Sequence, residues 1–420
     1  MFGWEFPPHI TGGLGTACFG ISKGLAMNNV EVTFVMPRAS GEEECPDVKI
    51  VDAGKVEVDP RFSTFYNEAH NISFIEVNSK LVPYVGLDDY FNVVNQIESE
   101  VFEETGKRRY FFTGGYGPHL MQEIGYYAVI AGELAREQDF DIIHMHDWHS
   151  YKAGIMAKKV SGKPLVAHIH ATEYDRSGEY DRNEIVFSIE KEGLEAADLV
   201  IAVSDLTRNT VIHHYGIPAE KVVTIHNALE PSCKEIRKEK AVPEKIVTFL
   251  GRVTFQKGPE YFVEVAKKVL EKDDHVRFVI AGDGDRMPRV IERVAELGIS
   301  DKFHFTGFLK GEDINKMYGM SDVYVMPSVS EPFGISPLEA IQAGVPVVIS
   351  RQSGVSEVLE YAIKVDFWDI DAMADAIYGL LHYPPLADFL AANGSREIKN
   401  LKWEYVGGKI LTLYQQLTNL

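Results

Sequence analysis

Glu331-Pro332-Phe333-Gly334-Ile335-Ser336-Pro337-Leu338-Glu339 is the stretch on which the reading of this chain turns. It follows an apolar run, Val323-Tyr324-Val325-Met326, and leads into a helical pattern through Ala340 to Ala343. Two carboxylates therefore sit near one strand-to-helix junction, with small residues between them whose backbone amides can face a ligand. A helix N-terminus offers unpaired N–H groups and a positive dipole end, which suits phosphate oxygens. A Glu-to-Glu spacing taken alone is common, and more often a solvated helix face. The surroundings sharpen it: Pro332 and Pro337 stiffen the loop, and Gly334 permits close backbone approach.

Outward from this junction, short β-branched runs alternate with helix-period segments, the pattern of parallel sheets in doubly wound α/β layers. In the second half the pattern predicts strands over 246–250, 276–281, 302–306, 323–326 and 345–349. The expected helices there are 259–270, 287–297, 314–319, 337–343 and 373–381. In the first half strands are expected over 32–36, 141–146, 164–169, 199–203 and 222–225, with helices over 16–28, 120–136, 151–160, 183–197 and 205–215. Residues 40–115 are less regular and read as an insertion shaping an acceptor site. A charged stretch, Lys234-Glu235-Ile236-Arg237-Lys238-Glu239-Lys240, is the linker candidate. The expected division is an N-terminal Rossmann-like domain over 1–233, a C-terminal one over 234–400, and a final helix over 401–420. Two such halves make a cleft that both sets of strand C-termini face. Only Met1–Trp4 precede the first loop, so either the first strand is very short or the native chain begins upstream of Met1; the second is the expectation, and an intact mass tests it.

The 420 residues carry 42 basic and 62 acidic side chains, a formal net charge of −20, which argues against broad nucleic-acid binding. A few placed cations can still make a local anion pocket. Cys18, Cys45 and Cys233 have neither disulfide nor zinc spacing, so a reducing, cytoplasmic setting fits. No apolar run approaches the roughly 20 residues of a membrane span.

Four further segments carry candidate chemistry. Thr11-Gly12-Gly13-Leu14-Gly15, ahead of the first helix, lets backbone amides approach a diphosphate, or is an ordinary glycine turn. His144-Met145-His146-Asp147-Trp148-His149 ends a strand; alternation points His144 and His146 the same way, and no third ligand follows to complete a metal site. After the next strand, Glu173, Asp175 and Arg176 either contact acceptor hydroxyls or form a local ion pair. Gly251-Arg252-Val253-Thr254-Phe255-Gln256-Lys257-Gly258 follows a strand and precedes a helix opened by Pro259. There Arg252 can grip phosphate oxygens bidentately and Lys257 adds a point charge, unless both are simply solvated.

Taken in order, these segments resemble the signature of retaining, nucleotide-sugar-dependent glycosyltransferases of the GT-B architecture, the group 1 type that includes glycogen and starch synthases. The resemblance implies a donor site of Gly12, Gly13, Leu14, Arg252, Lys257, Phe333, Gly334, Ile335 and Glu339, with Glu339 on the ribose hydroxyls. It implies catalytic roles for His146 beside the transferred sugar, Glu331 next to it, and Arg252 and Lys257 on the leaving diphosphate. Where those enzymes usually carry a lysine two residues before the glycine pair, this chain has Ile10.

The expected activity is transfer of a sugar, glucose above others, from ADP-glucose or UDP-glucose to a carbohydrate acceptor, an α-1,4-glucan above others. No metal or other cofactor is expected, since Arg252 and Lys257 supply the positive charge. Alternatives are a transferase of the same fold that accepts a sugar phosphate, with Arg61, Lys107, Arg108 and Arg109 as candidate phosphate contacts, a nucleotide-sugar epimerase, or a non-catalytic carbohydrate binder. A nicotinamide dehydrogenase is disfavoured, because no G-x-G-x-x-G follows the first strand. Oligomeric state is invisible in the sequence.

Overall fold

The computed structural model describes residues 1–10, 12–59, 100–101, 107–178, 182–230 and 242–418. The linker candidate 234–240, the expected boundary after residue 233, Cys233, Arg61 and Thr11 lie outside the described residues.

The first sheet runs Val48–Asp52, Val32–Met36, then Ile143–His146, Leu165–Ile169, Leu199–Ala202 and Val222–Thr224, with every strand pair parallel. Its two parts are joined by the chain start. Phe2 makes parallel bridges to both Val35 and Met145. Its N–H donates to the His144 carbonyl (2.7 Å), and its own carbonyl accepts from the His146 N–H (2.9 Å). Phe2 therefore fills a single strand position in the middle of the sheet. Strand Val48–Asp52 falls in the region read as an insertion, yet it pairs in register with Val32–Met36 and extends the same sheet.

The second sheet has the order Phe303–Gly307, Val276–Ala281, Lys245–Leu250, Val323–Met326, Val347–Ser350, Ile363–Val365, again all parallel. Chain order doubles back beside Lys245–Leu250, and such a switch point opens a crevice at the strand ends. The strand expected over 345–349 starts two residues later. Pro346 has no N–H to give a ladder, although its carbonyl accepts from Tyr324 N–H (3.0 Å). Helix Pro384–Glu397, which sequence periodicity did not reveal, opens on a proline at its first turn, where a missing N–H costs nothing.

Each sheet carries its own core. Ile143, Met145, Leu165, Ala167 and Val200 are buried in one, and Val247, Phe249, Phe278, Ile280 and Val325 in the other. The last helix, Trp403–Thr418, packs on helix Gly13–Met27 near the chain start. A Cβ on Gly24 would come within 2.1 Å of the Trp403 carbonyl oxygen, and one on Gly407 within 2.1 Å of the Gly24 carbonyl oxygen. Glycines at these positions set how closely the two backbones cross. No described helix is long and apolar enough to cross a membrane.

Candidate active site

One cleft is lined from both halves: by Glu5, Gly12, Gly13, Leu14, Tyr116, Asp147, His149 and His170 on one side, and by Arg252, Lys257, Phe333, Gly334, Ile335 and Glu339 among others on the opposite side. Of the residues named from sequence as donor-binding or catalytic, all but His146 reach its wall.

The glycine pair sits at the start of helix Gly13–Met27, three residues before the start expected from sequence, with Gly12 as N-cap. Gly12 has φ −171°, extended backbone open to any residue, and a Cβ on Gly12 or Gly13 would meet nothing within 4 Å. Neither packing nor backbone conformation demands glycine here. What the pair leaves is open approach to backbone from the cleft.

Strand Lys245–Leu250 delivers the Arg252–Lys257 loop. This turn is fixed by Val253 N–H donating to the Asp283 carbonyl (2.9 Å), and by Gln256, whose carbonyl accepts from Val329 N–H (2.9 Å). The same contact ties it to the loop carrying Glu331. Glu331 is 6% exposed, and its carboxylate accepts from the Lys257 ammonium and, at 3.4 Å, from Ser328 Oγ. Gly334 adopts φ +100°, a region that favours glycine, and this turns the chain between Glu331 and the short helix Ser336–Gln342. On that helix, Glu339 accepts from the Tyr318 hydroxyl (3.3 Å) and is raised above the ordinary carboxyl pKa by burial. The two carboxylates thus differ in kind: Glu331 is paired with a cation, and among the described residues Glu339 is not.

The opposite wall differs from expectation at His146. Its side chain is wholly buried and does not line the cleft; its Nδ1 lies 3.0 Å from His170 Nε2, and His170 is the ring at the wall. Strand alternation gave the right face for His146 but could not tell that the next strand's end covers it. Asp147 is also a cleft residue. It holds φ +56°, and its Oδ1 accepts from the His170 N–H (2.6 Å). Burial pushes its carboxyl up to about 7, against the opposing pull of the His170 N–H and of Arg176. Burial likewise pushes the His170 imidazole down to about 3. Glu5, three residues after the Phe2 bridges, accepts from the Tyr116 hydroxyl. Its only sequence signal is a charge between apolar residues beside a Pro-Pro turn.

For Glu173 and Arg176 the ion-pair reading holds. Arg176 Nε donates to Glu173 (3.0 Å), while its other end meets buried Glu190. Asp175 closes a capping box with Thr172 and accepts from Ser330 Oγ (2.5 Å), a bond between the two halves.

Two parallel α/β sheets face one cleft, with an open glycine backbone on one side and an Arg–Lys loop beside Glu331 and Glu339 on the other, the layout of a two-domain α/β protein whose candidate site lies between its halves. Residues 233–397 match the family described as Glycosyl transferases group 1, and residues 97–232 match Glycosyltransferase Family 4. The chain belongs to the group 1 glycosyltransferases and is a hexosyltransferase of the GT-B fold. An uncharacterised glycosyltransferase of Methanocaldococcus jannaschii is 27% identical across 99% of this chain and 97% of its own length. Among solved structures, sucrose-phosphate synthase from Thermosynechococcus elongatus superposes with a TM-score of 0.72 at 19% identity, covering 99% of this chain and 98% of that one. Anabaena HepE, solved with UDP and glucose, superposes at 0.64 and 16% identity, covering 97% of each chain.

Proposed function

We propose that this chain transfers a hexosyl group, with retention of anomeric configuration, from a nucleoside-diphosphate glucose to a carbohydrate hydroxyl. The observation that carries this reading is the convergence of Arg252, Lys257, Glu331, Glu339 and the Gly12–Gly13 backbone on one cleft. Arg252 and Lys257 meet the diphosphate, whose charge grows as the glycosidic bond breaks; preorganised cations at that point are the main source of rate. This leaves no step that requires a metal ion. Glu339 holds ribose hydroxyls, and the amides about Gly334 and Ile335 face the phosphates or the sugar. Glu331 orients the sugar and supports positive charge at the anomeric carbon. The departing phosphate takes the acceptor proton on the same face of the ring, and the two halves exclude water from the donor.

An α-1,4-glucan is the acceptor we put first, with ADP-glucose and UDP-glucose as donors. A neutral acceptor is supported by charge. Among the described cleft residues of the first half, Arg176 is the cation, and Glu173 and Glu190 already claim it. Lys107 and Arg109, candidates for a sugar phosphate, pair instead with Glu57 at 3.5 and 2.7 Å and do not line the cleft. Buried free thiols at Cys18 and Cys45 support a cytoplasmic setting.

The test is nucleoside-diphosphate release from each donor, with and without glycogen or a malto-oligosaccharide. Acceptor-dependent release with chain extension is the expected result. Release without extension discards the glucan, and conversion of the donor alone into a second nucleotide sugar points to an epimerase.

A further inference from the structure

The loop that carries Glu331 belongs to the second half, yet the first half shares in seating it. Glu331 N–H donates to the Gln352 carbonyl (2.9 Å), and its own carbonyl accepts from Gly354 N–H (2.8 Å), so the loop is laced to a neighbouring segment of its own half. On either side of Glu331 the chain then meets the first half. Ser330 Oγ donates to Asp175 Oδ1 at 2.5 Å. Beyond Glu331, the Pro332 carbonyl accepts from Thr207 Oγ1 at 3.5 Å. A Cβ on Gly354 would fall 2.1 Å from the Pro332 carbonyl oxygen and 2.4 Å from Ser204 Cβ. Glycine at that position lets segments of both halves close on the residue next to Glu331.

Asp175 is placed to hold its side of the contact. It is 4% exposed, and its Oδ2 accepts from both the N–H and the Oγ1 of Thr172, each at 2.7 Å. That capping box of helix Glu173–Ser177 fixes the carboxylate and leaves Oδ1 for Ser330. The same helix carries Arg176, which lines the cleft and is held by Glu173 and by buried Glu190. Glu190 in turn accepts from the Tyr215 hydroxyl. A fixed polar network therefore runs from the first half's wall through Asp175 to the residue preceding Glu331. A hydroxyl donating to a carboxylate makes a charge-assisted bond, about twice as strong as a neutral one.

Resting on the sugar-transfer reading above, we propose that Ser330 is a positioning residue: its bond to Asp175 sets the Glu331 carboxylate against the transferred sugar when the two halves meet. Arg252, Lys257, Gly334, Ile335 and Glu339 lie on the second half and keep their places whether or not that bond forms. Losing the bond leaves Glu331 with Lys257 and the backbone bonds of its own half, while most of the donor's contacts are untouched. The turnover step thus depends on the contact far more than donor binding does. It also makes the first half's wall, where the acceptor is read, a partner in placing a group that acts on the donor.

The experiment compares full-length wild type, Ser330→Ala and Ser330→Thr. Ser330→Ala removes one atom and leaves the loop's backbone bonds in place, and Ser330→Thr keeps the hydroxyl. Two readouts are taken: hydrogen–deuterium exchange of the amides of residues 329–331, and steady-state transfer from UDP-glucose and ADP-glucose. In Ser330→Ala the loop amides should exchange faster, and kcat should fall about tenfold with donor KM within about twofold of wild type, the pattern of a group lost from the transition state alone. Ser330→Thr should restore both readouts. An unchanged kcat in Ser330→Ala would overturn the proposal. So would a fall in kcat matched by an equal rise in KM, or one that threonine does not rescue, since a loosened fold gives those results. If the wild type moves no hexose, the sugar-transfer reading fails by itself and the exchange decides: equal loop exchange in the three proteins overturns the seating of Glu331 by Asp175.

Discussion

The Lys257 ammonium is hydrogen-bonded to the Glu331 carboxylate, joining the Arg252–Lys257 loop to the loop that leads into helix Ser336–Gln342 across 74 positions of sequence. Before a donor arrives, each charge is satisfied by the other inside a largely buried wall. In the proposed reaction a diphosphate draws Lys257 toward itself, and this frees Glu331 to face the sugar. Replacing Glu331 by Gln removes the competitor but also the anion. The expected outcome is a kcat lower by about 10²-fold, the order seen when one preorganised group is lost, with an unchanged or lower donor KM. Steady-state kinetics decides it; an unchanged kcat with a raised KM would show that Glu331 only holds the ground state.

Arg252→Ala and Lys257→Ala should each reduce transfer by about 10²-fold or more, because the leaving diphosphate loses a fixed positive charge. Inorganic pyrophosphate, which presents the same charge, should inhibit both variants more weakly than wild type. Near-normal turnover in both would remove the clamp.

Much of this arrangement is legible in the sequence, because the elements that hold it are bracketed locally. Gly251, Gly258 and Pro259 mark one loop, and Pro332, Gly334 and Pro337 the other, so strand, loop and helix are set by neighbours within a few residues. What was not legible depends on long-range contact. Phe2 completes a sheet only because Val35 and Met145 lie on either side of it. His146 reads as a cleft residue until the end of the adjacent strand brings His170 in front of it. Glu5 and Asp147 become cleft carboxylates through tertiary placement, and no periodicity marks them. Strand Val48–Asp52 was obscured by the irregular region around it, where the alternation has no helix beside it to confirm a βαβ unit.

Gly13→Ala separates binding from stability. A Cβ there meets nothing in the protein, and alanine favours a helix by up to about 1 kcal/mol over glycine, so stability in urea should hold or rise slightly. The added methyl would instead occupy the approach to the backbone, and the donor KM should rise several-fold. Equal loss of stability and affinity would mean that the pair serves the fold.

Glu339 gives the site a pH signature. Burial raises its carboxyl above the ordinary 4.5, with the Tyr318 hydroxyl opposing the rise. The folded state therefore holds this proton more tightly than the unfolded chain. Its contribution to stability is full below 4.5 and is lost as pH rises through the raised value. Donor binding should move the other way, since ribose hydroxyls need the carboxylate as acceptor. The donor KM should fall as pH climbs through that window, and Glu339→Gln should flatten this limb at the weaker-binding level. A wild-type KM that is flat across the same range would separate Glu339 from the ribose.

Glu357 is a second tie between the halves. Its two carboxylate oxygens accept from the Asp205 and Leu206 N–H groups, each at 2.8 Å, at the start of helix Asp205–Tyr215, and from His226 Nε2 at 2.7 Å. Glu357→Ala leaves those amides without their acceptor, a loss of about 1 kcal/mol for a capping contact, measurable by urea unfolding. The functional effect should exceed the stability effect. With the second half less firmly held against the first, water reaches the donor more often, and donor hydrolysis without acceptor should rise relative to transfer. Glu357→Gln, which can still accept from one amide, should fall between the two. If the ratio of hydrolysis to transfer is the same in all three proteins, the contact holds the fold together without governing access to the cleft.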